Sequence, residues 1–158
     1  MKNTIICDID GTIADLTHRL HYVRPSEGQR KNWAAFHACV AADTPHWDVQ
    51  EILYSLSGKR FMTDKDSPKQ IVYVSGRNEA SRAATMQWLY MYGFPDGDLH
   101  MRADGDFRSD DIVKEEILDN HLRLTPEQVL CVLDDRQRVV DMWRRRGFRV
   151  LQVAPGDF

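Results

Sequence analysis

The stretch TIICDIDGTIADL (residues 4–16) opens as an apolar run and then sets three carboxylates, Asp8, Asp10 and Asp15, within eight residues. The run TIIC (4–7) shows no polar alternation, which suits a strand covered on both faces, as in a parallel sheet. QIVYVS (70–75), VLCVLD (129–134) and RVLQVA (149–154) are runs of the same kind, and DLHMR (98–102) is a weaker one. Helical patterns fall between them over 79–92, 110–122 and 136–146, and Gly93 and Gly147 follow two of these, where a C-terminal cap is expected. Strands alternating with helices predict an α/β chain with a mainly parallel sheet and right-handed crossovers.

Composition narrows the class. A chain of 158 residues with 42% hydrophobic and 28% charged residues is an ordinary globular protein, read as one domain over 1–158. No apolar run approaches the roughly 20 residues of a membrane span, and the start MKNTIICDIDG is too short in apolar residues for a signal peptide. The three cysteines, Cys7, Cys39 and Cys131, are odd in number and read as reduced, so the expected setting is cytoplasmic, in a host cell if the chain is phage-encoded. The net charge of −3 supplies no global case for nucleic-acid binding. The basic run Arg144-Arg145-Arg146 reads as the solvated end of a helix.

Residues 17–68 show no clear strand. Two segments there look helical, 29–42 and 48–60, separated by Asp43-Thr44-Pro45. The second reads as the first crossover helix and the first as an insertion after strand one, a small helical cap over 17–46. Such an insertion would lie over the carboxyl end of the sheet, where ligands bind in folds of this class.

Residues just past the ends of parallel strands gather at one edge. Strand one brings Asp8 and Asp10; the strand at 70–75 brings Ser75, Gly76 and Arg77; the strand at 129–134 brings Asp134 and Asp135. Lys114 lies on the helix between the last two. Alternation puts Asp8 and Asp10 on one side, with Ile9 facing away. Taken singly, the paired acids could be a solvated turn, Asp134-Asp135 a helix N-cap and Ser75-Gly76-Arg77 a turn. Taken together they form an all-oxygen set that suits Mg²⁺, flanked by the cations and hydroxyl that a phosphoryl group needs. One carboxylate would attack phosphorus while its neighbour moves the proton, and Gly11 would allow the tight turn out of the strand.

At these residues the sequence resembles the haloacid dehalogenase superfamily of phosphotransferases. DIDGT (8–12) matches its first motif, Ser75 the second, Lys114 the third and Asp134-Asp135 the fourth. The resemblance implies a Rossmann-like three-layer sandwich with a cap inserted after strand one. VYVSGR (72–77), SDDIVKEEI (109–117), LDDRQRVVDMWRRRGF (133–148) and LQVAPGDF (151–158) look, more narrowly, like the 3′-phosphatase domain of phage polynucleotide kinase. That likeness implies Asp8 as nucleophile and Asp10 as general acid and base, with Ser75 and Lys114 holding phosphoryl oxygens. It implies Mg²⁺ held by Asp8, the Asp10 backbone carbonyl and Asp135, with Asp134 close by, and substrate contacts from Thr12, Gly76, Arg77, Arg102 and Asp110. The implied substrate is a 3′-phosphorylated DNA or RNA end. No G-x-x-x-x-G-K-[ST] loop occurs, so no ATP site is expected, nor any membrane contact.

Two other readings stand beside this one: a nucleotidase or small-molecule phosphatase on the same residues, and a non-catalytic phosphate- or end-binding subunit. Trp33, Phe36 and Trp47 either pack the insert or stack on a base. His18 and His21 lack the partners of a zinc set and read as polar cap residues. Met86, Trp88, Leu89 and Met91 read as the apolar face of the helix at 79–92.

Overall fold

The first strand, β1 (Thr4–Cys7), is buried at every position, and its alternation sorts the whole core. Ile5 and Cys7 enter one cluster and Ile6 the other. The protein is seen here as a computed structural model, which describes residues 2–24, 26–28, 30–57 and 69–156.

β1 pairs in parallel with β4 (Gln70–Asn78) on one side and β6 (Val129–Asp134) on the other. β5 (Gly97–Arg102) adds beyond β4 and β7 (Val150–Gln152) beyond β6, giving the order β5-β4-β1-β6-β7 with every pairing parallel. The Ile5 and Cys7 side packs against α2 (Trp47–Ser57) through Val49 and Leu53, and against α3 (Arg82–Met91) through Trp88 and Leu89. The Ile6 side packs against α4 (Asp110–Ile117) through Val113 and Ile117, and against α5 (Gln137–Arg145) through Val139, Met142 and Trp143. This is the expected α/β three-layer arrangement. Gly93 and Gly147 lie two residues beyond α3 and α5, as expected.

Several local expectations change. Residues 17–68 show no clear strand in sequence, yet Thr44 and Pro45 form β3 (Thr44–Pro45), antiparallel to β2 (Ala14–Asp15). Strands of two residues have no period to detect. The helix expected over 29–42 shortens to α1 (Trp33–Ala38), followed by a tight turn at Val40–Ala42; Gln29 lies outside the described residues. Positions 58–60 of the helix expected over 48–60 also lie outside them. The motif Ser75-Gly76-Arg77 sits inside β4 rather than past it, where the pairing with β5 shifts register between Ser75 and Asn78. Met86 and Met91 do not join the buried face of α3, which runs Thr85, Trp88, Leu89, the i, i+3, i+4 stripe turned to the sheet. Arg145 and Arg146 pair with Glu115 and Asp119 on the surface. No helix among the described residues is long and apolar enough to cross a membrane.

Candidate active site

The site begins where β1 ends. Ile9 is fully buried, and its carbonyl accepts the amides of Thr12, Ile13 and Ala14 at 3.2, 2.9 and 2.9 Å. That knot needs a sharp reversal, which Gly11 makes at φ 82°, a region most side chains avoid. The acids on either side of Ile9 then meet two different surroundings.

Asp8 is 4% exposed. The Lys114 ammonium donates to its Oδ1 at 2.6 Å and to Asp134 Oδ2 at 2.9 Å, and the Thr12 hydroxyl donates to Asp8 Oδ2 at 3.0 Å. Asp8, Asp134 and Asp135 each offer an oxygen within 4.8 Å of the others, all buried. Burial pushes the Asp8 carboxyl well up; Lys114 opposes this, and Asp134 and Asp135 reinforce it. Burial, then the Asp134 charge, pushes Asp135 up to about 6. Burial works against the Lys114 ammonium too, but Asp134 and Asp8 outweigh it and raise its pKa. Three carboxylates facing one ammonium leave an excess of negative charge, which a divalent cation with oxygen ligands would offset.

The three acids differ in what they have to spare. Asp134 Oδ1 accepts the Arg136 amide at 3.2 Å, and its Oδ2 accepts Lys114 and the Trp143 indole, the latter at 3.4 Å. The Asp135 carboxylate has the Thr12 hydroxyl 3.4 Å from Oδ1. The Asp135 backbone carbonyl takes the Gly156 amide and the Gln152 side-chain amide, each at 3.0 Å. A Cβ at position 156 would lie 2.0 Å from Asp135 Oδ2, so this approach of the chain's end needs glycine.

Asp10 faces arginines instead. Its Oδ1 accepts from Arg19 at 2.7 Å and from Arg77 Nε at 2.8 Å. Both guanidiniums also grip Asp43, Arg19 at 2.7 Å and Arg77 at 2.5 Å, and Arg19, Arg77 and Asp43 are all fully buried. Burial opposes ionisation of Asp10, but Arg77 and Arg19 overcome it and hold the carboxyl below its ordinary value. His18 Nε2 lies 2.8 Å from Asp43, and the Trp88 indole donates to the Asp43 carbonyl at 2.7 Å. Arg19 also lies over the Phe36 ring, 4.1 Å from its centroid.

Sequence reading missed Arg19 and Asp43. Arg19 sits in a polar stretch and Asp43 in a turn-like one, so neither carries a periodic sign of burial.

A third group is made by Asp110, which pairs with both Arg102 and Arg136. Arg102 Nε donates to the Gly76 carbonyl at 3.0 Å, tying β5 to the motif on β4. Asp8, Asp10, Gly76, Arg102, Asp110, Lys114 and Asp135 border one cavity of about 660 Å³, which α1 also lines. Thr12, Ser75, Arg77 and Asp134 stand buried behind it; the Ser75 hydroxyl accepts the Arg77 amide at 3.2 Å.

Comparison with known proteins agrees with this geometry. Residues 2–158 match a family described as the polynucleotide kinase PNKP phosphatase domain. A protein of Autographa californica nuclear polyhedrosis virus, provisionally named a bifunctional polynucleotide kinase/RNA ligase, is 29% identical over 141 residues, 89% of this chain and 17% of its own length. A chain of the Pnkp1/Rnl/Hen1 RNA repair complex superposes with a TM-score of 0.76 at 29% identity, over 98% of this chain and 43% of its own. The chain thus spans less than half of either relative. A haloacid dehalogenase-like hydrolase of Streptococcus pneumoniae shares the fold, with a TM-score of 0.62 at 16% identity over 96% of this chain and 84% of its own. The chain belongs to the polynucleotide kinase PNKP phosphatase domain family, with the α/β fold of haloacid dehalogenase-type hydrolases and the enzyme class of phosphoric monoester hydrolases.

Proposed function

We propose that the chain is a Mg²⁺-dependent polynucleotide 3′-phosphatase of nucleic-acid end repair, working through a phosphoaspartate on Asp8. The observation that carries this is the Lys114 bridge at 2.6 Å to Asp8 and 2.9 Å to Asp134, with Asp135 in the same acidic cluster and Asp10 on the same cavity wall. The family description and the relatives' names support a phosphorylated nucleic-acid end as substrate.

In this reading an Asp8 oxygen attacks phosphorus and the ester P–O bond breaks, while the departing 3′-oxygen takes a proton from Asp10. A water then gives its proton to Asp10 and attacks the phosphoaspartate, releasing inorganic phosphate and freeing Asp8. Asp10 is held ionised by Arg19 and Arg77, the form that accepts the water's proton. Entry of a phosphate dianion beside it favours the protonated form needed in the first step. Lys114 and the Gly76 segment face the phosphoryl oxygens from the cavity wall. Asp8, Asp135 and the Asp10 backbone carbonyl would hold Mg²⁺, with Asp134 turned to Lys114 and supporting from behind. When bound, the ion would offset the carboxylate charge and polarise a phosphoryl oxygen.

The assignment extends to organisation. We take 1–158 as one domain with 17–46 as its cap, the cap supplying Arg19 to the Asp10 network. Three free cysteines suit an intracellular setting.

A phosphate-release panel tests the reading. With Mg²⁺, a 3′-phosphorylated oligonucleotide, with RNA included because both relatives are named for RNA chemistry, should be hydrolysed faster than a 5′-phosphorylated one. It should also exceed nucleoside monophosphates and an aryl phosphate, and chelator should stop release. Faster turnover of free monophosphates would instead make the chain a nucleotidase, and no release from any substrate would make it a binding subunit. Asp10→Asn should lower the rate by roughly 10²–10⁴, the usual worth of acid–base help. A rate within twofold of the parent would remove Asp10 from its role.

A further inference from the structure

Helix α1 carries Trp33 and His37 one turn apart, their rings stacked at 6.2 Å and 26°, and both border the cavity that holds Asp8 and Asp10. Between them, Phe36 is 2% exposed beneath Arg19, the aromatic that the helix gives to packing. Trp33 is 42% exposed. The Lys31 ammonium stands 5.5 Å from its ring centroid. Phe107, in the loop between β5 and α4, borders the same cavity and is 88% exposed. Trp47 is also exposed, but it packs edge-on to Tyr92 and does not border the cavity.

Two large aromatics open to water beside the same cavity offer stacking surface there. Trp33, His37 and Phe107 all border one cavity. A ligand that uses this surface has a flat π-face and is joined to a phosphate that reaches Asp8. A nucleobase meets these demands, and it can stack on a protein aromatic only when withdrawn from its own helix.

Building on the nucleic-acid reading above, we propose that Trp33, His37 and Phe107 form a nucleobase subsite for the nucleotide bearing the phosphate, so that the chain takes unpaired 3′ ends. Trp33 and Phe107 supply stacking surface. His37 backs the Trp33 ring. A base-paired terminal nucleotide cannot enter without first leaving its stack.

The test is equilibrium binding to the Asp8→Asn full-length chain, which removes turnover from the readout. Two fluorescent trinucleotides serve as probes, both 3′-phosphorylated, one with a normal 3′-terminal base and one abasic there. Trp33→Ala and Phe107→Ala should each weaken the base-bearing probe roughly tenfold and the abasic probe less than twofold, and Trp33→Phe should restore binding. A recessed, fully paired 3′ end should bind more weakly than the single strand. Equal loss for both probes, no loss for either, undiminished binding of the paired end or no binding by the parent would each overturn the subsite. Phosphate release from the base-bearing probe by the unsubstituted chain reports on the phosphatase reading separately, since a chain that binds without hydrolysing fails that reading alone.

Discussion

Asp8→Asn is expected to abolish phosphate release, by at least about 10⁴-fold, while leaving the fold intact. The amide keeps the shape of the carboxylate but cannot attack phosphorus. The fold should survive because Asp8 is a burden to the metal-free protein. Burial pushes its carboxyl well up, with Asp134 and Asp135 adding to the push. A group whose folded pKa is raised favours the folded state while protonated, and that contribution is lost as pH rises through the folded value. Asp135, pushed up to about 6, follows the same rule, so the repulsion in the cluster grows as pH climbs past that point. At neutral pH without divalent ions, Asp8→Asn should therefore melt at the parent's temperature or above it. Adding Mg²⁺ should raise the parent's melting temperature more than the variant's, because ion binding to the native state stabilises by mass action. Thermal melts with Mg²⁺ and with chelator check both statements. A variant that melts well below the parent in chelator would show that the carboxylate stabilises the fold.

Lys114→Met should cost both stability and turnover. The ammonium is 2% exposed and is the cation between Asp8 and Asp134. Removing one partner of a buried ion pair strands the other, at about 3–5 kcal/mol, and here two carboxylates are stranded. Methionine fills much the same space, so the loss would be one of charge compensation rather than packing. Phosphate release should fall by roughly 10²–10³, the effect of losing one fixed donor to the transferring group. Denaturant unfolding in chelator measures the first effect. The double variant Lys114→Met/Asp134→Asn separates the two: it should recover much of the stability, because one stranded charge is gone, and none of the activity. If the double variant were less stable than the single one, the two residues would not be coupled as the distances indicate.

The two variants probe the part of the site that sequence patterning made legible. TIIC followed by D-x-D-G-T announces a buried parallel strand opening onto acids, and the same grammar of apolar run then polar residue recurs at Ser75 and at Asp134-Asp135. Strand ends in a parallel sheet converge by construction, so residues 126 positions apart, Asp8 and Asp134, could be brought together on paper. The helix at 110–122 carried Lys114 to the same edge because its apolar stripe, Val113 and Ile117, has only one sheet face to bury against.

Other features had no such grammar. Arg19 and Asp43 sit in segments whose polarity reads as solvent exposure, and yet both are fully buried. Their burial is possible only because Arg77 and Asp10 arrive from the sheet to complete the charge pattern, two guanidiniums against two carboxylates. The short ladder of β2 and β3 was invisible for a related reason, since two-residue strands are held by their neighbours rather than by propensity. The choice between Phe36 as packing and Trp33 as open surface was likewise undetermined in sequence, because two aromatics three residues apart look equivalent until an arginine covers one of them.

The sequence alone determined the layered α/β architecture and the acids and lysine at the strand ends, because hydrophobic periodicity and the direction of parallel strands are local properties that add up without long-range information. Only the tertiary structure decided which acid is paired with arginines and which with lysine, which carboxylates cluster tightly enough for an ion, and which aromatic is left open to water. Those outcomes depend on burial and on distances of a few ångströms between distant segments, and burial turns the same carboxylate chemistry in opposite directions at Asp8 and Asp10.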